Sequence, residues 1–311
     1  MEIEVSEDDS GLRLDIFLAK QVPGLSRRSG QDLIDRKKVL RNGSPTRKGT
    51  KVERGDLISV LETPPPADAG AQPNSEIALR VRYEDPHILI VEKPSGMPSH
   101  PLRATETETL ANGLVAAYPE TEGVGFSPLQ PGLVNRLDVE TSGLVLAARS
   151  QEAWEAMRSA LSEGRVRKTY LCACDGWIGS PRLLDWYLVN DPRDRRRVHC
   201  CLSEVEAQRL GGRPAATRVI RSFHGADASL VKVEVSSAFR HQIRTHMATA
   251  GHPLWGDLLY GGRAIDGLEG QFLHAESVSF EHPFSGESVE VVSELPDSLR
   301  SALPEDLNEE R

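Results

Sequence analysis

Cysteine is scarce in this chain of 311 residues, with only Cys172, Cys174, Cys200 and Cys201. None forms a CxxC pair, and adjacent Cys200 and Cys201 are a poor basis for a disulfide framework, so a reduced protein is expected. The same spacing suits no zinc site. No apolar run approaches the length needed to cross a bilayer. The acidic start, Met1-Glu2-Ile3-Glu4-Val5, lacks the apolar stretch of a signal peptide. A soluble, cytoplasmic protein without membrane contact is the expectation. Positive charge is in deficit overall, with a formal net charge of −9. That excludes a chain basic throughout but leaves room for a local basic surface. There is no GxxxxGK[ST] loop, and no GxGxxG opens a helix after a strand. His241 and His246 stand five apart, not at the i, i+4 spacing of HExxH. No cofactor and no metal are therefore expected.

What is present divides the chain in two. Residues 63–76 carry four prolines among small and polar neighbours, a composition that reads as a semi-rigid linker. Residues 1–62 form a small unit, residues 77–300 a large one, and residues 301–311 an acidic tail expected to fray. In the small unit Leu14, Phe17 and Leu18 share one helical face, Leu33 and Ile34 a second, and Ser26 is placed to cap the second helix. Turn signals at Asn42-Gly43 and Arg54-Gly55-Asp56 bracket short strands that end at Leu57-Ile58-Ser59-Val60. The large unit opens as strand, turn, strand over residues 81–91. A helix is expected from Gln151, capped by Ser150 and ended by Gly164, with Trp154, Met157 and Leu161 on one face. Strands are expected at 170–174, 219–223, 230–235, 278–280 and 289–292, and a helix over 239–250 with Arg240 and Arg244 on a common face. Without regular βαβ alternation the fold class is α+β, a mostly antiparallel or mixed sheet flanked by helices. A monomer is expected.

Charge is unevenly placed. Between Arg13 and Arg54 stand twelve Lys or Arg against four Asp or Glu, several of them around the second helix. A charge run of this kind is ordinarily a solvated face. Here the order Arg13-Leu14-Asp15, Ser26-Arg27-Arg28-Ser29, Asn42-Gly43 and Gly55-Asp56 resembles the RNA-binding domain of small-subunit ribosomal protein S-four. Members of that family usually have glycine near Lys37, in the bend after the second helix, and this chain has none there. The resemblance implies a surface that grips structured RNA by shape and phosphate, with Arg13, Arg27, Arg28, Lys37 and Lys38 as its cations.

The triplet Arg-Leu-Asp occurs twice, at 13–15 and 136–138, so alone it says little. Asp15 lies on a helical pattern and reads as a surface or capping charge. Asp138 lies on a turn, Thr141-Ser142-Gly143 following, between the strand-like runs at Val134 and Leu144-Val145-Leu146. It could accept backbone hydrogen bonds to fix that turn, or face a cleft. Tyr170 at the start of a strand could be a core tyrosine, and Arg244 a helix-surface charge. Two arginines at i, i+4 without an acid between them point to an anion elsewhere, Asp138 or phosphate.

Taken together, Leu133–Leu144, Lys168-Thr169-Tyr170 and His241-Gln242-Ile243-Arg244 resemble the RluA-type pseudouridine synthases. Ile88–Gly96 with His100-Pro101, and Gly251–Gly261, resemble further blocks of that family in order. Two positions differ: Asn135 stands where histidine is usual, and Ala238-Phe239-Arg240 where Gly-Arg and a variable residue are usual. The resemblance implies the pseudouridine synthase fold and isomerisation of uridine in RNA, ribosomal RNA of the large subunit above all. It implies Asp138 as nucleophile, Arg244 as its ion-pair partner and Tyr170 against the base, as a candidate for the later proton removal. Arg136, Arg240 and His241 are implied RNA contacts. A transfer-RNA enzyme, or a catalytically silent RNA-binding or ribosome-assembly protein, would share the same fold. A glycoside hydrolase would need two carboxylates across the scissile bond; Glu140 is near Asp138, but the resemblance gives a role only to Asp138.

Overall fold

Ile88, Leu89, Ile90 and Val91 are all fully buried, an apolar run without alternation that fits a strand covered on both faces. Leu89 and Val91 join one hydrophobic cluster, and Ile88 and Ile90 another. The sheet that contains this strand therefore separates two cores. A computed structural model describes residues 1–62, 69–236 and 239–308.

The small unit runs β1 (Glu2–Glu4), α1 (Leu14–Gln21), α2 (Arg27–Asp35), β2 (Val39–Arg41), β3 (Ser44–Pro45) and β4 (Leu57–Val60). Its strands form an antiparallel sheet in the order β1-β4-β2-β3. Leu14, Phe17, Leu18, Leu33 and Ile34 meet in its core. Ser26 Oγ accepts from Ser29 N at 3.1 Å, the expected cap, worth about 1 kcal/mol.

The large unit continues β5 (Arg80–Glu84), β6 (Ile88–Lys93), α3 (Leu110–Ala117), β7 (Ser142–Ala148), α4 (Gln151–Ser162), β8 (Arg167–Asp175), β9 (Arg182–Asn190) and β10 (Val198–Cys201). Then come α5 (Glu204–Leu210), β11 (Arg213–His224), β12 (Ala228–Val235), α6 (Gln242–Thr249), β13 (Leu273–Glu281), β14 (Ser288–Val292), α7 (Asp297–Arg300) and α8 (Glu305–Asn308). One ten-stranded sheet runs β10-β9-β11-β12-β8-β13-β7-β6-β5, with β14 on β13. Among the described residues β13 and β7 pair in parallel and the other neighbours antiparallel. Leu110 and Leu114 of α3 and Ile243 and Met247 of α6 cover one face. Met157 and Leu161 of α4 cover the other. The mixed sheet flanked by helices agrees with the α+β expectation.

Several local expectations are corrected. Strands β9 and β10 and helices α3 and α5 had no sufficient pattern: β9 alternates only weakly, with exposed Leu183 beside buried Leu184 and Leu188. Part of the proline-rich linker, 63–68, lies outside the described residues. The stretch after it is anchored: Ala71 is buried, and Asn112 Nδ2 donates to Gln72 O at 2.6 Å. The acidic tail does not fray through 308. Leu303 and Leu307 are buried with Leu295 and Leu299, so apolar residues at helical spacing outweigh the acidic composition around them. Asp15 is no surface charge; it is buried and takes hydrogen bonds from Arg13, Arg27 and Gln31.

Candidate active site

The Asp138 segment is clamped from one side by residues 93–99. Ser99 Oγ donates to Leu137 O (2.8 Å) and accepts from Leu137 N (3.0 Å). Val139 O accepts from Lys93 Nζ (2.8 Å) and from Gly96 N (3.0 Å). Glu140 O accepts from Ser95 Oγ at 2.8 Å, and Gln271 Nε2 donates to Thr141 Oγ1 at 3.0 Å. Asn135, at the position where histidine is usual, uses its Oδ1 to accept from Leu146 N at 2.8 Å. Backbone groups on both sides of Asp138 are thus satisfied, and its side chain is left partly exposed in a cleft. Gly143 begins the exit into β7 at φ +109°, and a Cβ there would strike the Ala275 backbone.

Arg244 is the cation of the site. Its Nη1 donates to Asp138 Oδ2 at 2.9 Å, while Nε and Nη2 hold Asp257 Oδ2 and Oδ1 at 2.7 and 2.8 Å. A planar guanidinium can serve two carboxylates in this way because its five donors are fixed in a fork. Arg244 is buried, so it is no helix-surface charge. Burial alone would lower its pKa, but Asp257 and Asp138 together raise it, which keeps the cation charged.

The helix carrying Arg244 begins later than periodicity suggested. His241 has φ +55° and stands outside α6 as its N-cap, so the helix starts at Gln242. Arg240 and Arg244 therefore do not share a helical face. Arg240 donates to Arg195 O and Arg197 O at 3.0 and 2.8 Å while still lining the wider cleft with Asp138. His241 instead faces the site, its Nε2 3.8 Å from Asp138 Oδ2. Tyr260 Oη accepts from Val198 N at 2.7 Å and is hydrogen-bonded to His241 Nδ1 at 2.9 Å, which fixes the imidazole ring beside Asp138. Burial holds His241 below the ordinary histidine range, with Asp138 pulling the other way.

Tyr170 reaches the same pocket as Asp138 and Arg244. On β8 it pairs with Ala275 of β13, which pairs in turn with Gly143 of β7. Register alone thus carries it beside the Asp138 turn. It is nearly buried, and burial together with the charge of Asp138 pushes its phenol well above the ordinary range. Arg136 is exposed on the cleft and donates from Nη1 to His100 Nε2 at 2.8 Å. Burial keeps His100 below its usual pKa, consistent with a neutral acceptor.

Sequence reasoning missed three contributors. Asp257 lay inside a quoted block without a role. Lys93 is fully buried and donates to the carbonyls of Pro94, Met97 and Val139. Burial pushes its pKa down to about 7, against the charges of Glu140 and Asp138. Tyr260 holds His241 and lies under Arg244, whose guanidinium is 5.3 Å from the ring centroid.

Of the expected cations in the small unit, Arg28 and Lys37 are exposed and Lys38 pairs with Glu62 at 3.5 Å. Arg13 and Arg27 hold buried Asp15 at 3.0 and 2.8 Å, with part of each side chain still in solvent. Lys37 adopts φ +57°, the left-handed conformation that explains why glycine suits this position. Away from the cleft, His199, Cys201 and Glu206 have donor atoms within 4.8 Å of one another, a grouping that cysteine spacing did not reveal. His199 Nε2 and Glu206 Oε1 are 2.9 Å apart and satisfy each other, linking β10 to α5.

No helix among the described residues is long and apolar enough to cross a membrane. The pattern of the RNA pseudouridylate synthase family matches residues 87–249, and that of the S4 domain residues 12–58. The chain is 33% identical to the uncharacterized RNA pseudouridine synthase YlyB of Bacillus subtilis, over 97% of each protein. It is 32% identical to ribosomal large subunit pseudouridine synthase D of Neisseria meningitidis, over 94% of this chain and 78% of that one. Among solved structures, human RNA pseudouridylate synthase domain containing 1 matches with a TM-score of 0.54 and 26% identity, covering 72% of this chain and 86% of the other. The matched regions span the Asp138 turn, Tyr170 and Arg244 on one side and the basic helices on the other: the chain belongs to the RNA pseudouridylate synthase family, and is an RNA pseudouridine synthase with an S4 domain.

Proposed function

We propose that this enzyme isomerises uridine in structured large-subunit ribosomal RNA, with Asp138 as covalent nucleophile. The observation that carries the reading is the Asp138–Arg244 pair at 2.9 Å, in a cleft also lined by Arg136 and His241. Arg244 favours the ionised carboxylate, the form able to attack. The bond from N1 of uracil to the sugar breaks, and a bond from C5 to the same sugar carbon forms. C5 loses a proton and N1 gains one. The product is an isomer, so the reaction consumes no electrons and no second substrate, and we assign it no metal or cofactor.

Tyr170 is the residue placed against the flipped base, where stacking offsets part of the cost of removing it from its helix. Attack turns Asp138 into a neutral ester. One cause of the raised Tyr170 pKa then disappears while Arg244 stays charged, so the phenol ionises more readily after the covalent step, and the phenolate is the form that can take the C5 proton. Residues 1–62 are assigned as the RNA-gripping unit and 77–300 as the catalytic one, acting as a monomer in the cytoplasm. The large-subunit substrate is supported by the relative from Neisseria meningitidis, whose name carries it.

The test is incubation of the purified protein with ribosomal RNA and, separately, with transfer RNA from a strain lacking its gene, followed by carbodiimide-dependent reverse-transcription mapping. New stops that vanish with Asp138→Asn are expected. Stops that persist with Asp138→Asn remove it as nucleophile, and stops confined to transfer RNA replace the substrate.

A further inference from the structure

At the rim of the cleft stands an aromatic that the chemistry does not use. Phe126 is 68% exposed, leaving most of an aromatic ring out of any core. It lines the same cleft as Asp138, Arg136 and Arg158.

Its position is built. The preceding residue, Gly125, donates its N–H to Gln151 Oε1 at 2.8 Å. The Phe126 ring packs on Trp154, with centroids 5.9 Å apart and planes at 56°. Trp154 Nε1 donates to Leu133 O at 2.9 Å, and Arg158 Nη1 to Val134 O at 3.0 Å. The Arg158 guanidinium also lies 5.7 Å from the Trp154 ring centroid. Leu133 and Val134 belong to the segment that continues to Asp138. Ring, tryptophan, arginine and nucleophile are therefore tied to one short stretch of backbone, which fixes Phe126 relative to the reacting carboxylate.

We infer that Phe126 is a stacking shelf for a nucleobase next to the target uridine, in a single-stranded or splayed part of the RNA. An exposed ring beside cations matches the surfaces that hold unpaired nucleic acid, where the aromatic takes the base and the arginines take the phosphates. A protein partner would also cover an apolar ring, but the exposed Arg136 and Arg158 of the same cleft complement phosphate. The inference rests on the RNA reading of the same cleft.

The test measures equilibrium binding of the full-length protein to a fluorescently labelled hairpin RNA with an all-uridine loop, across a salt series. Phe126→Ala is expected to weaken binding about tenfold, the loss of one stacked base, with the salt slope unchanged because no charge is removed. Phe126→Tyr and Phe126→Trp should restore affinity, and Phe126→Leu should not. Replacing loop uridine with 5-iodouridine should give a photo-crosslink to Phe126. Wild-type affinity in Phe126→Ala or Phe126→Leu overturns the shelf and leaves the ring to a protein partner. A wild type that does not bind the hairpin sinks it as well, whereas failure of the modification assay alone would not.

Discussion

Asp257 engages two of the three guanidinium nitrogens of Arg244, Nε and Nη2 at 2.7 and 2.8 Å, and leaves Nη1 to Asp138. Asp257 has 1% of its side chain in solvent. It aims the guanidinium rather than meeting substrate, which makes it a positioning residue. Asp257→Asn should lower kcat by as much as about 10²-fold, the usual scale for a misplaced group, with RNA affinity kept. A kcat equal to wild type would show that Arg244 needs no second carboxylate.

Arg244→Ala removes both pairings and leaves Asp257 buried and unpaired. The expected loss is about 3–5 kcal/mol of stability, read from urea unfolding, together with activity. Arg244→Lys should not rescue, since a single ammonium cannot reproduce the fork. The double variant Arg244→Ala, Asp257→Ala should recover stability but not activity, which separates the two roles.

Lys93 supplies a pH signature. Burial depresses its folded pKa to about 7, below the unfolded value of about 10.4. Between these values the unfolded chain binds more protons, so the contribution of Lys93 to stability rises with pH from about 7 to about 10. The urea midpoint of wild type should therefore rise relative to that of Lys93→Met between pH 7 and pH 9. A constant difference would mean that the three carbonyls around Nζ hold it protonated throughout.

Tyr170 divides into ring and hydroxyl. Tyr170→Phe should keep RNA affinity and lose most of kcat, whereas Tyr170→Leu should lose both. Equal turnover by wild type and Tyr170→Phe would remove the hydroxyl from proton transfer.

Lys37 sets charge against conformation. Lys37→Gly should raise the stability of the chain by about 1 kcal/mol, by relieving a left-handed backbone. It should also reduce the salt slope of RNA binding by roughly 0.7–0.9, one phosphate contact. An unchanged slope would place Lys37 outside the RNA surface.

The family was legible in the chain alone, and the same blocks singled out Asp138, Tyr170 and Arg244, which the structure brings to one pocket. These lie in short contiguous blocks, where turn chemistry and apolar periodicity are local and survive without knowledge of the fold. The caps at Ser26 and Ser150 and the faces of Met157 and Leu161 were readable for the same reason. Only the tertiary structure decided which charges meet. Asp138 and Arg244 are 106 residues apart, and no pattern in either segment says that Arg244 shares itself with Asp257. Two identical Arg-Leu-Asp triplets end in different places: Asp15 is buried under Arg13 and Arg27, while Asp138 remains open to a cleft. Lys93 buried at the end of β6, Arg240 kept off α6 by the positive φ of His241, and Leu307 buried within an acidic tail belong to the same class. Each depends on what distant backbone and carboxylates offer, because hydrogen bonding and desolvation act through space while sequence patterns act along the chain.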